Sequence, residues 1–388
     1  MLTYYSSVPK RVLLIGYYYP PEGGVGAVRI AKFAKYLSDR LDIHVISSQP
    51  NQNNRPSGVS DESGATVHRV KRPFNGVEKN FDNIRWSIPV SRKIHNLHDE
   101  FHFDCIWQTA NPFLPLATVP FCKKIIDTDF IVDLRDSWTL HPYNDLTTTF
   151  GRLYEKTSQF LEPRVLRAAD AVTVATDGIR NAYADEYPEI SGKLYTVENG
   201  YDREDFPQLE TKPRDEFEIV YAGKFSDFRD PDPFLKALSD IQSQYNVSFV
   251  HVGNLEEHVR DSIKRYGLKQ HYECTGYVDR KEVARRIQRA NLGLAVSGGS
   301  PQEMTTKIFD YMACNTPILG CGPDGSMIEV IERFEFGYVA TNETSRIKNT
   351  LLEIIEQQPE SLGSGPYAEY TRERSAKKLA NVIRNVVE

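Results

Sequence analysis

Two acids, Glu303 and Asp310, flank Lys307 behind a glycine-rich run, Ser297-Gly298-Gly299-Ser300-Pro301-Gln302. Acids so placed are suited to holding a sugar and a ribose. A glycine loop that opens a helix grips phosphate, because helix N-termini present unpaired N–H groups and a partial positive charge. Thr305, Thr306 and Lys307 lie where this loop gives way to a helical pattern and belong to the same candidate site. Ser300, Pro301 and Glu303 also fit a capping box, with Ser at the N-cap, Pro at N1 and Glu at N3. Glu303 therefore has a structural reading beside the functional one. Lys307 and Asp310, at i and i+3, have one too, as a surface pair.

A second cluster follows the apolar run Val220-Tyr221-Ala222, which ends in Gly223 and is followed by Lys224 and Arg229. Two fixed cations ahead of a helix start at Asp232-Pro233 suit a leaving diphosphate. The plain alternative is loop charge on the surface.

Further upstream, Ile131-Val132-Asp133-Leu134-Arg135-Asp136 is an apolar run that ends in charge. Charge there costs desolvation unless it is paired or faces a cleft. Arg135 and Asp136 are candidates for contact with an acceptor or a reacting phosphate; otherwise Arg135 pairs with Asp133 or Asp136. After the first apolar run, Tyr17 to Gly26 places Gly23, Gly24 and Gly26 in a loop whose backbone can approach a ligand. Their order is not the dinucleotide fingerprint, and a simple turn capping the helix near Val28 is the other reading. His95, His98 and His102 share helical spacing. They read as a solvated face, since no third ligand completes a metal site.

The elements that must position these residues alternate. Apolar runs near Arg11–Gly16, Ile43–Ser47, Cys105–Gln108, Ile131–Leu134, Ala171–Ala175 and Leu194–Val197 predict six strands in the first half. Runs near Glu218–Ala222, Val247–Val252, Glu273–Thr275, Leu292–Ala295, Pro317–Leu319 and Tyr338–Val339 predict six more. They are nearly continuous rather than alternating, which suits strands buried on both faces of a parallel sheet. Helical patterns at Val28–Ser38, Phe234–Ser243 and Lys281–Arg289 lie between them. The polar break at Asn199–Arg214 divides the α/β pattern into two Rossmann-like, doubly wound parallel-sheet domains with a cleft between them. The expected domains are residues 1–200 and 201–366, with a final helix at 367–388 completing the first.

With 388 residues, the chain is long enough for two cores. A net charge of −6 argues against bulk binding to nucleic acid. The five cysteines never form C-x-x-C, which points to reduced thiols in a cytosol. No stretch has the length of a membrane span, and the N-terminal apolar run Val12–Ile15 is too short for a signal peptide. Arg69, Lys71, Arg72, Arg85, Arg92, Lys93, Lys123 and Lys124 make the first half locally basic. They read as a solvated face or as one that meets an anionic lipid surface, so a cytoplasmic protein in contact with the membrane face is expected.

In this order the segments resemble the GT-B glycosyltransferases of the family 4, group 1 type, over nearly the whole chain. The resemblance is carried by Tyr19-Pro20-Pro21-Glu22-Gly23-Gly24-Val25-Gly26, by Glu198-Asn199-Gly200-Tyr201-Asp202, by Ala222-Gly223-Lys224 and by Asp310-Tyr311-Met312-Ala313-Cys314-Asn315-Thr316-Pro317. It implies transfer of a sugar from a nucleotide-sugar to a glycan, lipid-linked or small acceptor with retention at the anomeric carbon. The donor would sit on the second domain and the acceptor on the first, with no metal or other cofactor required. By position, Asp310 would hold the ribose, Lys224 and Arg229 the diphosphate, and Val278 would meet the base through its backbone. Glu303 would stand near the donor sugar, although Gln302 occupies the register of the family's first acid. Arg135 and Asp136 stand where many relatives carry a histidine. A nucleotide-sugar 2-epimerase of the same architecture, or a non-catalytic subunit that binds sugar nucleotides, are the alternative readings.

Overall fold

The computed structural model describes residues 10–50, 63–73, 82–140, 148–206, 216–226 and 228–388. The chain divides into two compact units. Unit 1 is Met1–Glu198 together with Arg372–Glu388, and unit 2 is Asn199–Thr371.

In unit 1 the described strands are β1 Arg11–Ile15, β2 Asp42–Ser48, β3 Thr66–Val70, β4 Cys105–Thr109, β5 Asp129–Leu134, β6 Ala171–Val174 and β7 Leu194–Thr196. They form one sheet in the order β3-β2-β1-β4-β5-β6-β7, parallel throughout. In unit 2 they are β8 Phe217–Ala222, β9 Val247–Val252, β10 Tyr272–Cys274, β11 Leu292–Val296, β12 Ile318–Cys321 and β13 Gly337–Ala340. This sheet runs β10-β9-β8-β11-β12-β13, again all parallel.

The helices of unit 1 are α1 Val25–Leu37, α2 Ser87–Phe101, α3 Thr118–Cys122, α4 Thr149–Ala168 and α5 Asp177–Glu186. Unit 2 holds α6 Asp232–Ile241, α7 Glu257–Arg265, α8 Arg280–Arg289, α9 Lys307–Cys314, α10 Ser326–Ile331 and α11 Thr344–Gln357. The chain then re-enters unit 1 as α12 Arg372–Val387.

The continuous apolar runs are explained by burial on both faces. In β1, Leu13 and Ile15 point into one core while Val12 and Leu14 point into the other. In β8, Ile219 and Tyr221 face one side, Val220 and Ala222 the opposite one. The helices cover these faces with amphipathic stripes. α6 buries Phe234, Leu235, Leu238 and Ile241. α12 packs on α1 and places Leu379, Val382 and Ile383 in the core of Val12 and Leu14.

The sequence reading expects six strands in the first half, whereas seven are described. The additional one is β3, Thr-Val-His-Arg-Val, at the sheet edge. Most of it is only partly buried, so it lacks the apolar run that betrays an interior strand.

Strand order fixes where ligands can approach. β1 lies between β2 and β4, and β8 between β9 and β11, so the winding direction reverses beside each. At such a point the loops after the two central strands part and open a crevice at their carboxyl ends. In unit 1 these are the loops that begin at Gly16 and Ala110. In unit 2 they begin at Gly223 and Ser297.

Candidate functional site

In unit 2 the site is built on the end of β8. Gly223 turns the chain at φ +130°, where a side chain would be strained. A Cβ there would lie 2.7 Å from Lys307 Cε, so glycine also makes room for that lysine. The Gly223 carbonyl accepts from His251 Nε2 at 2.8 Å. A carbonyl can only accept, so Nε2 carries the hydrogen and Nδ1 accepts from the Tyr272 hydroxyl at 2.8 Å. Burial pushes His251 below its ordinary pKa, which keeps the ring neutral in this structural role.

Lys307 opens α9, with Nζ 4.8 Å from the centre of the Tyr221 ring. Tyr221 in turn stacks on Phe225 at 3.7 Å. Desolvation, and then the positive charge of Arg229, lower the Lys307 pKa to about 8. Arg229 donates to Glu303 Oε1, while its Nε is buried with no hydrogen-bond partner among the described residues. Glu303 Oε2 accepts from the Gly298 amide at 2.7 Å, and the Gly299 amide donates to Ser297 Oγ at 3.1 Å. Two cations and two loop amides thus gather at the carboxyl ends of β8 and β11. Such donors, fixed in advance, stabilise an anion whose charge grows as a bond breaks.

Several expectations are corrected here. The capping box does not form, because α9 begins at Lys307 and Pro301-Gln302 make a turn before it. Glu303 spends its carboxylate on Arg229 and Gly298 instead, and its own amide donates to Ser300 O at 3.1 Å. Lys224 has an exposed side chain, and its carbonyl accepts from the Tyr221 hydroxyl at 3.0 Å. Asp310 is not paired with Lys307 on the surface. It accepts from Arg280 at 2.9 Å, and that guanidinium lies 4.4 Å from the Phe206 ring centre. Thr306 sits at the N-cap of α9 without a side-chain capping bond, Thr305 is buried, and Val278 packs against the core.

Unit 1 carries a second cluster. Gly24, at φ +106°, is the N-cap of α1. A Cβ at Gly26 would lie 3.1 Å from an Arg135 nitrogen, so Arg135 lies against the start of α1. Arg135 donates twice to Asp136 Oδ2, at 3.0 and 2.7 Å, and Asn111 donates to the same oxygen at 3.4 Å. Asp133 is not its partner. Asp133 and Arg29 form a fully buried two-pronged pair at 3.0 and 2.8 Å, joined by the Thr109 and Thr173 hydroxyls at 2.7 and 2.8 Å. Gly23, Gly24 and Gly26 belong to this cluster, and the Gly223–Lys307 cluster belongs to unit 2.

The tyrosine-proline loop of unit 1 is braced from within. Arg72 pairs with Glu22 at 2.5 Å and lies 4.8 Å from the Tyr17 ring centre. Arg69 donates to Pro20 O and lies 5.4 Å from the Tyr19 ring centre. Two residues read as part of a basic face are therefore internal, and Lys123 is bound to Asp170 at 2.6 Å. Lys71, Arg85, Arg92 and Lys124 are exposed. On α4, Glu162 is fully buried. It accepts from Tyr183 at 2.5 Å, from Tyr187 at 3.0 Å and from the Thr139 amide at 3.1 Å, which secures the chain that follows β5.

The His98 and His102 rings meet at 6.1 Å, with His102 ending α2. Among the described residues no group of three or more His, Cys, Asp or Glu is placed to hold a metal ion. No described helix is long and apolar enough to cross a membrane. Sequence reasoning missed His251, Tyr221, Arg280 and Arg29. His251 and Tyr221 lie inside strand runs that advertise only burial. Arg29 and Arg280 declare themselves only through partners far along the chain.

Comparison with known proteins gives a consistent picture. Residues 23–205 match the family described as Glycosyltransferase Family 4, and residues 202–376 match Glycosyl transferases group 1. A Bacillus subtilis (strain 168) protein provisionally designated teichuronic acid biosynthesis glycosyltransferase TuaH is 21% identical over 224 residues. That match spans 56% of this chain and 55% of the relative, about half the length of each. Among solved structures, sucrose-phosphate synthase from Thermosynechococcus elongatus superposes with a TM-score of 0.78 at 15% identity, covering 97% of this chain and 98% of that one. Anabaena HepE, solved in complex with UDP and glucose, gives 0.73 at 15% identity over 97% and 100%. At such identity these likenesses speak for the two-domain fold.

Proposed function

The chain belongs to the family 4, group 1 glycosyltransferases of GT-B architecture, and from that premise we propose that it moves a sugar from a nucleotide-sugar donor to an acceptor with retention at the anomeric carbon. The observation that carries the donor half is the meeting of Lys307 and Arg229 with the Gly298 and Gly299 amides at the strand ends of unit 2. These groups take the diphosphate, and Lys224, exposed at the same strand end, supplies a third cation. Their charge neutralises the leaving group, so the reaction needs no metal. Asp310, steadied by Arg280, receives the ribose hydroxyls, and Val278 meets the base. Glu303 stands at the donor sugar. HepE structures that hold UDP with glucose, or UDP-glucose, support a nucleotide-sugar as donor.

Unit 1 receives the acceptor, a glycan or lipid-linked saccharide, beside Arg135, Asp136 and the Gly23–Gly26 loop. The work is done on the cytoplasmic side, at the membrane face, in polysaccharide biosynthesis. The name carried by TuaH supports polysaccharide biosynthesis.

A panel of nucleotide-sugars tests the reading, by thermal stabilisation and by nucleoside-diphosphate release with and without saccharide acceptors. Stabilisation by one donor and acceptor-dependent release are expected. If no nucleotide-sugar binds, the reading is lost. Conversion of the donor to its epimer without acceptor would favour the 2-epimerase. Binding without any turnover would favour a non-catalytic subunit.

A further inference from the structure

α4 carries large apolar side chains on its outer side as well as on its inner one. Its inward side buries Ser158 and the carboxylate of Glu162 next to Val165 and Leu166. Its outward side leaves Leu153 46% and Phe160 57% exposed. A helix that only covers a core keeps its large apolar side chains on the inner side. α3 packs against α4, and there the exposure continues: Phe121 is 57% exposed and Ile125, in the turn that follows, 54%. Single exposed apolar residues are ordinary, but large ones on two adjoining helices mark a surface that meets something.

Cations outnumber acids around them. Arg152, Lys156 and Arg164 on α4 are exposed, as is Lys124 beside Ile125. Arg164 lies against the Phe160 ring, 3.6 Å from its centre, so a cation and an aromatic ring present one combined surface. The acids of α4 do not cancel this. Glu162 is buried, so the part-exposed Glu155 of α4 and the exposed Asp127 near Ile125 stand against four exposed cations. This local excess of cations stands in a chain whose net charge is −6. Aromatic and aliphatic side chains interleaved with Lys and Arg complement a surface that is apolar just beneath a layer of negative charge.

We propose that the α3–α4 face of unit 1, centred on Leu153, Phe160, Phe121 and Ile125, docks on an anionic lipid bilayer. The proposal rests on the membrane-face setting given above for the acceptor, and it moves the contact away from Arg69 and Arg72, which the fold uses internally. The cations draw the face to the headgroups, and the four apolar side chains enter the boundary between headgroups and acyl chains. None of these residues belongs to either candidate site.

The test is co-sedimentation of the full chain with vesicles of phosphatidylcholine alone and of phosphatidylcholine with phosphatidylglycerol. Binding to the anionic vesicles at least tenfold above the neutral ones, weakened by salt, is expected. Leu153→Ser with Phe160→Ser should lower it at least tenfold, and Lys156→Glu with Arg164→Glu should abolish it. All four positions are exposed, so each variant should keep the thermal midpoint and the nucleotide-sugar stabilisation of the parent. Absence of binding to anionic vesicles overturns the proposal, as does binding that these variants leave unchanged. Concentration-dependent self-association that the same variants dissolve would assign the face to a second copy of the chain, and also overturns it. Because nucleotide-sugar binding is read separately, its failure would strike the transferase reading and leave the lipid result standing.

Discussion

Arg229 donates to one oxygen of Glu303, and the other oxygen of that carboxylate takes the Gly298 amide at 2.7 Å. One acid thus occupies both kinds of donor, a guanidinium and a loop N–H, that a diphosphate would recruit. An arriving anion must displace it. Glu303→Gln removes the competing charge and leaves Arg229 in place. Nucleoside-diphosphate affinity should hold or rise in that variant, while turnover of the nucleotide-sugar falls at least tenfold. Calorimetry with the diphosphate and a turnover assay separate the two effects. Unchanged turnover would reduce Glu303 to a brace for the loop.

Removing a cation should act in the opposite sense. Arg229→Ala and Lys307→Ala should each weaken nucleoside-diphosphate binding by about tenfold or more, about 1.4 kcal/mol. Binding within a factor of two of the parent would remove that residue from the donor site.

Lys307 also gives a pH signature. With its pKa lowered to about 8, it holds its proton below that value and loses it above. Diphosphate binding should be flat up to about pH 8 and decline beyond it. Lys307→Arg keeps the charge at every accessible pH and should flatten the profile. Stability moves the other way. From about pH 8 to the ordinary lysine value the unfolded chain binds more protons than the folded one, so stability should rise with pH in that window. Titration by calorimetry and by chemical denaturation reads both slopes.

The Arg29–Asp133 pair is fully buried and shares its charge with two threonines. Asp133→Ala leaves an uncompensated guanidinium in the sheet of unit 1 and should cost about 3–5 kcal/mol. Arg29→Met combined with Asp133→Leu should cost less than that single change. Urea denaturation of both variants makes the comparison. A single change within 1 kcal/mol of the parent would contradict this account.

His68 stacks on His44, with Nε2 3.1 Å from His44 Nδ1. Burial, then the charges of Lys93 and His44, push its pKa down to about 4. Unfolded, it takes a proton near its ordinary value. Between the two values the unfolded chain holds the extra proton, so stability should fall as pH drops from about 6.5 to about 4. His68→Gln should remove part of that loss, on the order of 1–2 kcal/mol. Thermal midpoints at pH 7 and pH 5 measure it.

What could be read before folding was whatever burial writes into local pattern. Strands such as β1, β8 and β11 lie between two cores, and their runs are apolar apart from Arg11 and Glu218. β3 lies at an edge with one residue fully buried, so its pattern resembles a loop. The glycine-rich loops are legible because a turn at the carboxyl end of a strand needs residues such as Gly223. The charged residues were harder. Glu303 satisfies the spacing of a capping box, yet a guanidinium and an amide brought in by tertiary structure claim its oxygens. Arg69 and Arg72 look like solvent charges until the loop they brace is closed over them. Arg280–Asp310 and Arg29–Asp133 join residues far apart in the chain, and no local spacing announces such a pair.

α12 packs on α1 and shares the core of β1, although the whole of unit 2 separates it in sequence from the rest of unit 1. Synthesis therefore delivers the two units on different schedules. Unit 2 is one unbroken stretch and leaves the ribosome complete once Thr371 has cleared the exit tunnel. Unit 1 emerges first but stays unfinished until α12 has followed unit 2. Throughout that interval the α1 side of its first sheet lacks the cover that Leu379, Val382 and Ile383 later provide. The nascent chain thus carries a sticky flank during the whole manufacture of unit 2, a natural point of engagement for a holding chaperone. A premature stop just before Arg372 would leave the flank uncovered for good, and the shortened product would go to aggregation or proteolysis.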